Sequence, residues 1–246
     1  MTRILVLLVL LLALVWGRPA DAQLDQLLKQ LPQIPGSGQT SLPGSLGDVK
    51  IGQALKEALQ VGTENAVLLT GKTDGYFANQ AIKILLPERL KSLDSGLRLV
   101  GYGPQVDELV LGMNRAAEHA APAAKQIFFD AIGEMTIDDA RKILDGAPTA
   151  ATDYFKSKTT GRLTTAFQPI VQSSMSQVGV TRQYEELLGR ARAIPFLNVE
   201  QYDLNHYVVG KSLDGLFHVV GEQEKNIRAN PSARVTDLLR EVFGQR

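Results

Sequence analysis

The sequence predicts an all-α protein, a single irregular bundle of about eight helices spanning residues 48–246, and three observations carry that prediction. Apolar residues recur at spacings of three and four through most of the chain after Asp48. Pro87, Pro104, Pro122 and Pro231 stand just ahead of such patterns, where a missing N–H costs a helix nothing. Strand signals are confined to Ile82–Leu86 and Phe196–Val199, which could form at most one two-stranded ribbon. No repeat with a period of about 30–45 residues is present, which disfavours a regular solenoid.

The elements justify themselves in chain order. Arg3 precedes an unbroken apolar run from Ile4 to Trp16, and Ala20-Asp21-Ala22 places small residues where a signal peptidase reads them. The run is shorter than the about 20 apolar residues a membrane-spanning helix needs. Residues 1–22 therefore read as a cleaved signal peptide, with Gln23 as the mature N-terminus, an extracytoplasmic location and no transmembrane segment in the mature chain. Gln23 to Leu31 could form a short helix. Pro32 to Gly47 is rich in proline, glycine and serine and reads as a flexible linker.

From Asp48, Ile51, Leu55, Ala58, Gly62, Ala66 and Leu69 fall on one helical face, with Lys56, Glu57, Gln60 and Glu64 pointing elsewhere. Asp74-Gly75-Tyr76-Phe77 reads as a turn backed by two aromatics that plug the end of the bundle. Thr136 with Asp139 has the form of a capped helix start, and Asn230 offers a cap ahead of Pro231. Pro169 lies inside the pattern from Arg162 to Val178 and should kink or split that helix. The longest pattern runs from Glu200 to Ala229, with Val209, Leu213, Leu216, Val220 and Ile227 on one face.

Composition closes off several kinds of function. The 246 residues are 44% hydrophobic, which excludes a disordered chain, and 26 basic residues balance 26 acidic ones, without the surplus a nucleic-acid binder carries. Absence of cysteine removes disulfides, thiolate metal sites, iron–sulfur clusters and thiol nucleophiles together. The histidines, His119, His206 and His218, are not followed by a second histidine at metal spacing, and Glu-x-x-His does not occur. No nucleophile elbow, phosphate-binding loop or dinucleotide fingerprint is present. The expectation is no metal and no cofactor.

What remains are polar residues on apolar helices. Asp107, Asn114 and Glu118 form a stripe bordering an apolar face, with Arg115 and His119 further round. Such a set could bind a polar ligand or do acid–base work, but the same residue types build the networks that fix one helix against its neighbours, and that structural reading is preferred, with Asp107 as a neighbour in the network. On the last long pattern, His206 and Glu224 share the border occupied by Phe217, where a charge would be partly buried and want a partner. Asp203, Gly210, Asp214 and Gly221 form a second line whose glycines permit close approach. His218 and Glu222, four apart, read as a solvated pair. The candidate ligand or partner residues are thus Asp74, Asp107, Asn114, Arg115, Glu118, Asp214 and Glu224.

An ordered set of segments carries a resemblance: Asp74-Gly75-Tyr76-Phe77; Ile82-Lys83-Ile84 through Leu86-Pro87; Met113 through Glu118; Ile127-Phe128; Ala150-Ala151-Thr152-x-Tyr154-Phe155; Phe167-x-Pro169-Ile170-Val171; Leu213 through Phe217; and Ala233 through Leu239 before Val242-Phe243-Gly244. From Asp48 to Gly244 the chain resembles the bacterial domain-of-unknown-function family 4197, with Tyr76 where the family pattern has phenylalanine. The resemblance implies a secreted or periplasmic protein of Gram-negative bacteria and supplies no activity. The functional expectation is a non-enzymatic periplasmic protein binding an envelope partner. A carrier of an apolar small molecule or lipid is the alternative, and an enzyme with a carboxylate-based site comes third.

Overall fold

The computed structural model describes residues 46–177, 179–192 and 202–229, and these are all-α. In order they are α1 (Leu46–Gly71), α2 (Lys91–Leu99), α3 (Gly103–Ala120), α4 (Ala124–Gly133), α5 (Ile137–Asp145), α6 (Ala150–Gln177), α7 (Val180–Ala191) and α8 (Leu204–Ala229), with single 3-10 turns at Glu88–Leu90 and Ala121–Ala123. The stretches read from sequence as a signal peptide, a short helix and most of a linker, the Phe196–Val199 stretch and the helix start expected at Pro231 lie outside the described residues. α1 begins at Leu46, two residues inside the span read as linker.

α8 lies at the centre, packed against α6, α1 and α3. Its predicted face is buried throughout: Val209, Leu213, Leu216, Val220 and Ile227, joined by Phe217. Phe128 of α4 meets Phe155 and Phe217 edge-on, with ring centroids 5.2 and 6.1 Å apart. Each of these rings contributes about 2–3 kcal/mol through burial and about 1 kcal/mol more through that edge-to-face geometry.

Three sequence expectations change here. Ile51 and Leu69 are exposed, and the buried face of α1 instead runs through Leu55, Ala58, Gly62 and Ala66 with Ala54, Leu59 and Val67 beside them. A stripe drawn over so many turns drifts round a helix of 3.6 residues per turn, so its two ends leave the core. α6 runs unbroken through Pro169. An interior proline costs about 3 kcal/mol, whereas Phe167 before it and Val171 and Met175 after it are fully buried, and at about 1.5–3 kcal/mol each their burial outweighs the lost backbone bond. The Ile82–Leu86 stretch forms no ribbon. Residues 83–87 carry no regular secondary structure and lie as a strap beside α3 and α8. The capped start at Thr136 is present in full: Thr136 Oγ1 accepts the Asp139 N–H, and the Asp139 carboxylate accepts the Thr136 N–H.

Candidate functional site

The DGYF turn sits over the C-terminal end of α1, so close that a Cβ on Gly75 would stand 2.5 Å from the Leu69 carbonyl oxygen and 2.6 Å from that of Thr70. Only glycine fits. Asp74 takes a left-handed conformation, φ 64°, which aspartate tolerates better than most residues. The turn drives Tyr76 into the core, where it is fully buried and its hydroxyl donates to the Ser212 carbonyl at 2.6 Å. Opposite the ring, Gly215 of α8 has no room for a side chain: a Cβ would lie 2.6 Å from Tyr76 Cε1 and 3.1 Å from Ile82 Cβ. Burial raises the Tyr76 phenol above its ordinary range, and the charge of Glu118 pushes it the same way.

α3 supplies the groups that hold this turn and the strap after it. Asn114 and Glu118, one turn apart, are 0% and 2% exposed, so what sequence places at the border of the apolar face lies within the core. Glu118 Oε1 accepts the N–H groups of Tyr76 and Phe77 at 3.1 and 3.2 Å, while Oε2 takes Arg115 Nη1 at 2.6 Å. Arg115 reaches on to Asp74 Oδ1 at 2.7 Å. The hydrogen bond to Glu118, and then that to Asp74, holds the guanidinium above its usual pKa. Asn114 takes both backbone groups of Ile84, accepting the N–H on Oδ1 and donating Nδ2 to the carbonyl, each at 2.8 Å. Its amide stands in for a neighbouring strand.

The remaining candidates separate from this cluster. Asp107 is not part of it: its side chain is exposed and bound to Arg98, which also takes Asp94. Eight residues along a helix make just over two turns, a distance of about 12 Å, so a place on the same helix did not bring Asp107 to Arg115. Asp214 is exposed and paired with Lys211. Glu224 has the partners a buried charge needs, the N–H groups of Ala151 and Thr152 at 2.9 Å and Arg228 at 2.9 Å, so it caps the start of α6 from across the core. His206 is exposed rather than half-buried, and its N–H caps onto Asp203. Of the glycines on that line, Gly210 has nothing within 4 Å and Gly221 meets Thr152 at ordinary contact distance. Glu222 pairs with Lys225, not His218.

Sequence reasoning passed over a groove of about 620 Å³ between the strap and α8, with Lys83, Leu85, Arg89, Tyr202, Tyr207 and Lys211 in its walls. It also passed over the contact of His119 Nδ1 with Ser174 Oγ at 3.1 Å. The strap is the stretch before Pro87 that sequence marks as a strand candidate, and that apolar run was the available signal. Among the described residues no group of three or more His, Asp or Glu side chains could hold a metal ion, and no helix is long and apolar enough to cross a membrane.

Compared with known proteins, residues 45–244 match the family model described as "Protein of unknown function (DUF4197)". No curated protein and no solved structure matches the chain.

Proposed function

The chain belongs to the DUF4197 family, and we propose that it is an exported, periplasmic, non-enzymatic protein that binds a protein partner of the bacterial envelope. The observation that carries this reading is the open groove of about 620 Å³ laid along a strap that α3 holds in place. A groove with a fixed wall is a pre-organised surface, and pre-organisation reduces the ordering cost of association. The polar residues suited to acid–base chemistry support the same reading, because Asn114 is taken up by backbone groups, and Glu118 and Glu224 each by backbone N–H groups and an arginine. The apolar pocket beside Leu55, Ala58 and Ile227 holds about 20 Å³, too small for a ligand site of about 300 Å³, so that pocket gives an apolar carrier no support.

Site-specific photo-crosslinking in intact cells tests it. A photoreactive residue at Leu85, exposed in the groove, should give one discrete protein adduct whose crosslinked peptide is identified by mass spectrometry, and one at Leu99, exposed outside the groove, should not. Adducts to lipid alone, or equal adducts at both positions, contradict the reading. Export is tested separately: N-terminal sequencing of protein from the periplasmic fraction should begin at Gln23, and because Trp16 leaves with the leader, its emission should be tyrosine only.

A further inference from the structure

Two backbone groups of the strap, at Lys83 and Leu85, are left open among the described residues. Successive residues of an extended segment present their N–H and C=O groups to opposite edges. Asn114 takes both groups of Ile84, and the residues on either side of it, Lys83 and Leu85, line the groove. The Lys83 N–H closes the preceding turn on the Asn79 carbonyl at 2.8 Å, and in the groove the Leu85 carbonyl accepts the Tyr207 hydroxyl at 2.9 Å. The Lys83 carbonyl and the Leu85 N–H have no partner among the described residues. They form an acceptor and a donor, two residues apart, on one open edge.

Charge adds a second, independent constraint. Both carboxylates of the groove are already matched, Glu88 with Lys91 and Asp214 with Lys211. Lys83, stacked 4.0 Å over the Phe77 ring, and Arg89 have no carboxylate partner among the described residues. The groove therefore offers two cations that its own carboxylates do not match, beside Tyr202 and Tyr207, whose rings meet edge-on at 5.9 Å.

We propose that this groove takes an extended peptide segment bearing carboxylate side chains, whose backbone adds to the open edge at Lys83 and Leu85 and whose carboxylates meet Lys83 and Arg89. Strand addition of this kind draws affinity from main-chain bonds and specificity from alternate side chains. The cations then decide which extended segments are accepted. The proposal rests on the partner-binding reading and names the chemistry of the partner.

Random peptides displayed on phage, selected against the purified protein, test it. Recovered peptides should be enriched in Asp and Glu. A recovered peptide, made synthetically, should bind at least tenfold more weakly to Lys83→Glu and Arg89→Glu, whose melting temperatures match wild type, and at least tenfold more weakly when its backbone is N-methylated at the pairing position. Recovery without acidic enrichment, equal binding to the charge-reversed proteins, or binding of anionic phosphatidylglycerol vesicles through Lys83 and Arg89 in place of peptide overturns the proposal. If the display result is negative while Leu85 still crosslinks an envelope protein in cells, partner binding stands and the acidic-peptide proposal falls.

Discussion

Asn114→Ala is the sharpest perturbation of the clamp. The amide is fully buried, and its removal strands the N–H and the carbonyl of Ile84, a residue that is itself 1% exposed. The third bond of the amide, to the Val110 carbonyl, is lost without stranding anything, because that carbonyl keeps its helical partner. Each stranded buried group costs about 1–3 kcal/mol, and the space left by the amide adds to this, so the expected loss is about 3–5 kcal/mol. That is about a fifth or more of the stability of an ordinary domain, about 5–15 kcal/mol. For a domain of this size 1 kcal/mol moves the midpoint by about 2–4 °C, so the melt should fall by about 10 °C. Urea and thermal unfolding followed by far-ultraviolet circular dichroism, with Asp107→Ala as the exposed control expected within about 0.5 kcal/mol of wild type, make the comparison. A variant melting within 2 °C of wild type, on the scale of about 10 °C set above, would refute the reasoning.

Other variants probe the remaining contacts. Arg115→Ala removes one of three hydrogen bonds to the buried Glu118 carboxylate, but Arg115 is 26% exposed and water can take its place, so the loss should be about 2 kcal/mol rather than the larger value for a fully buried pair. Gly215→Ala should cost about 1–3 kcal/mol by overpacking against Tyr76 and Ile82, read in the same unfolding experiment, and a neutral result would mean that the tyrosine has room to move. Burial raises the Tyr76 pKa above its ordinary value of about 10, so the folded state keeps a proton that the unfolded chain gives up. The stability this contributes is fully present below pH about 10 and falls as pH rises beyond it, by at most about 1.4 kcal/mol per pH unit. Tyr76→Phe should flatten that alkaline decline, and a decline as steep as wild type would show that other groups cause it.

How much of this was legible in the sequence follows from what each signal depends on. Helix starts depend on neighbours in the chain, and Thr136 with Asp139 and the prolines ahead of α3 and the 3-10 turns were read correctly. The buried face of α8 was also legible, because five apolar residues repeat along it. Two further outcomes could not be read locally. Pro169 looked like a break, but its effect was decided by what Phe167 and Val171 bury against. Asn114 and Glu118 were assigned to a structural network, yet their partners are backbone groups of the strap and turn, 30 and 42 residues away, and no side-chain pattern announces a backbone partner. Asp107 shared their stripe and bonded elsewhere because Arg98, on the preceding helix, lies within reach of it. The groove was invisible for the same reason, since its two walls, Lys83 to Arg89 and Tyr202 to Lys211, come together only in the folded chain.

The central claim is that Asn114 and Glu118 of α3 build the turn and the strap into the core, leaving the Leu85 N–H open among the described residues. Native-state hydrogen exchange measured by NMR tests it at single amides. The amides of Tyr76 and Phe77, held by Glu118, and of Ile84, held by Asn114, should exchange only through openings near the global unfolding free energy. The Leu85 amide, on the open edge, should exchange as fast as an exposed loop. Rapid exchange at Ile84 and Tyr76, at the rate of Leu85, would contradict the account.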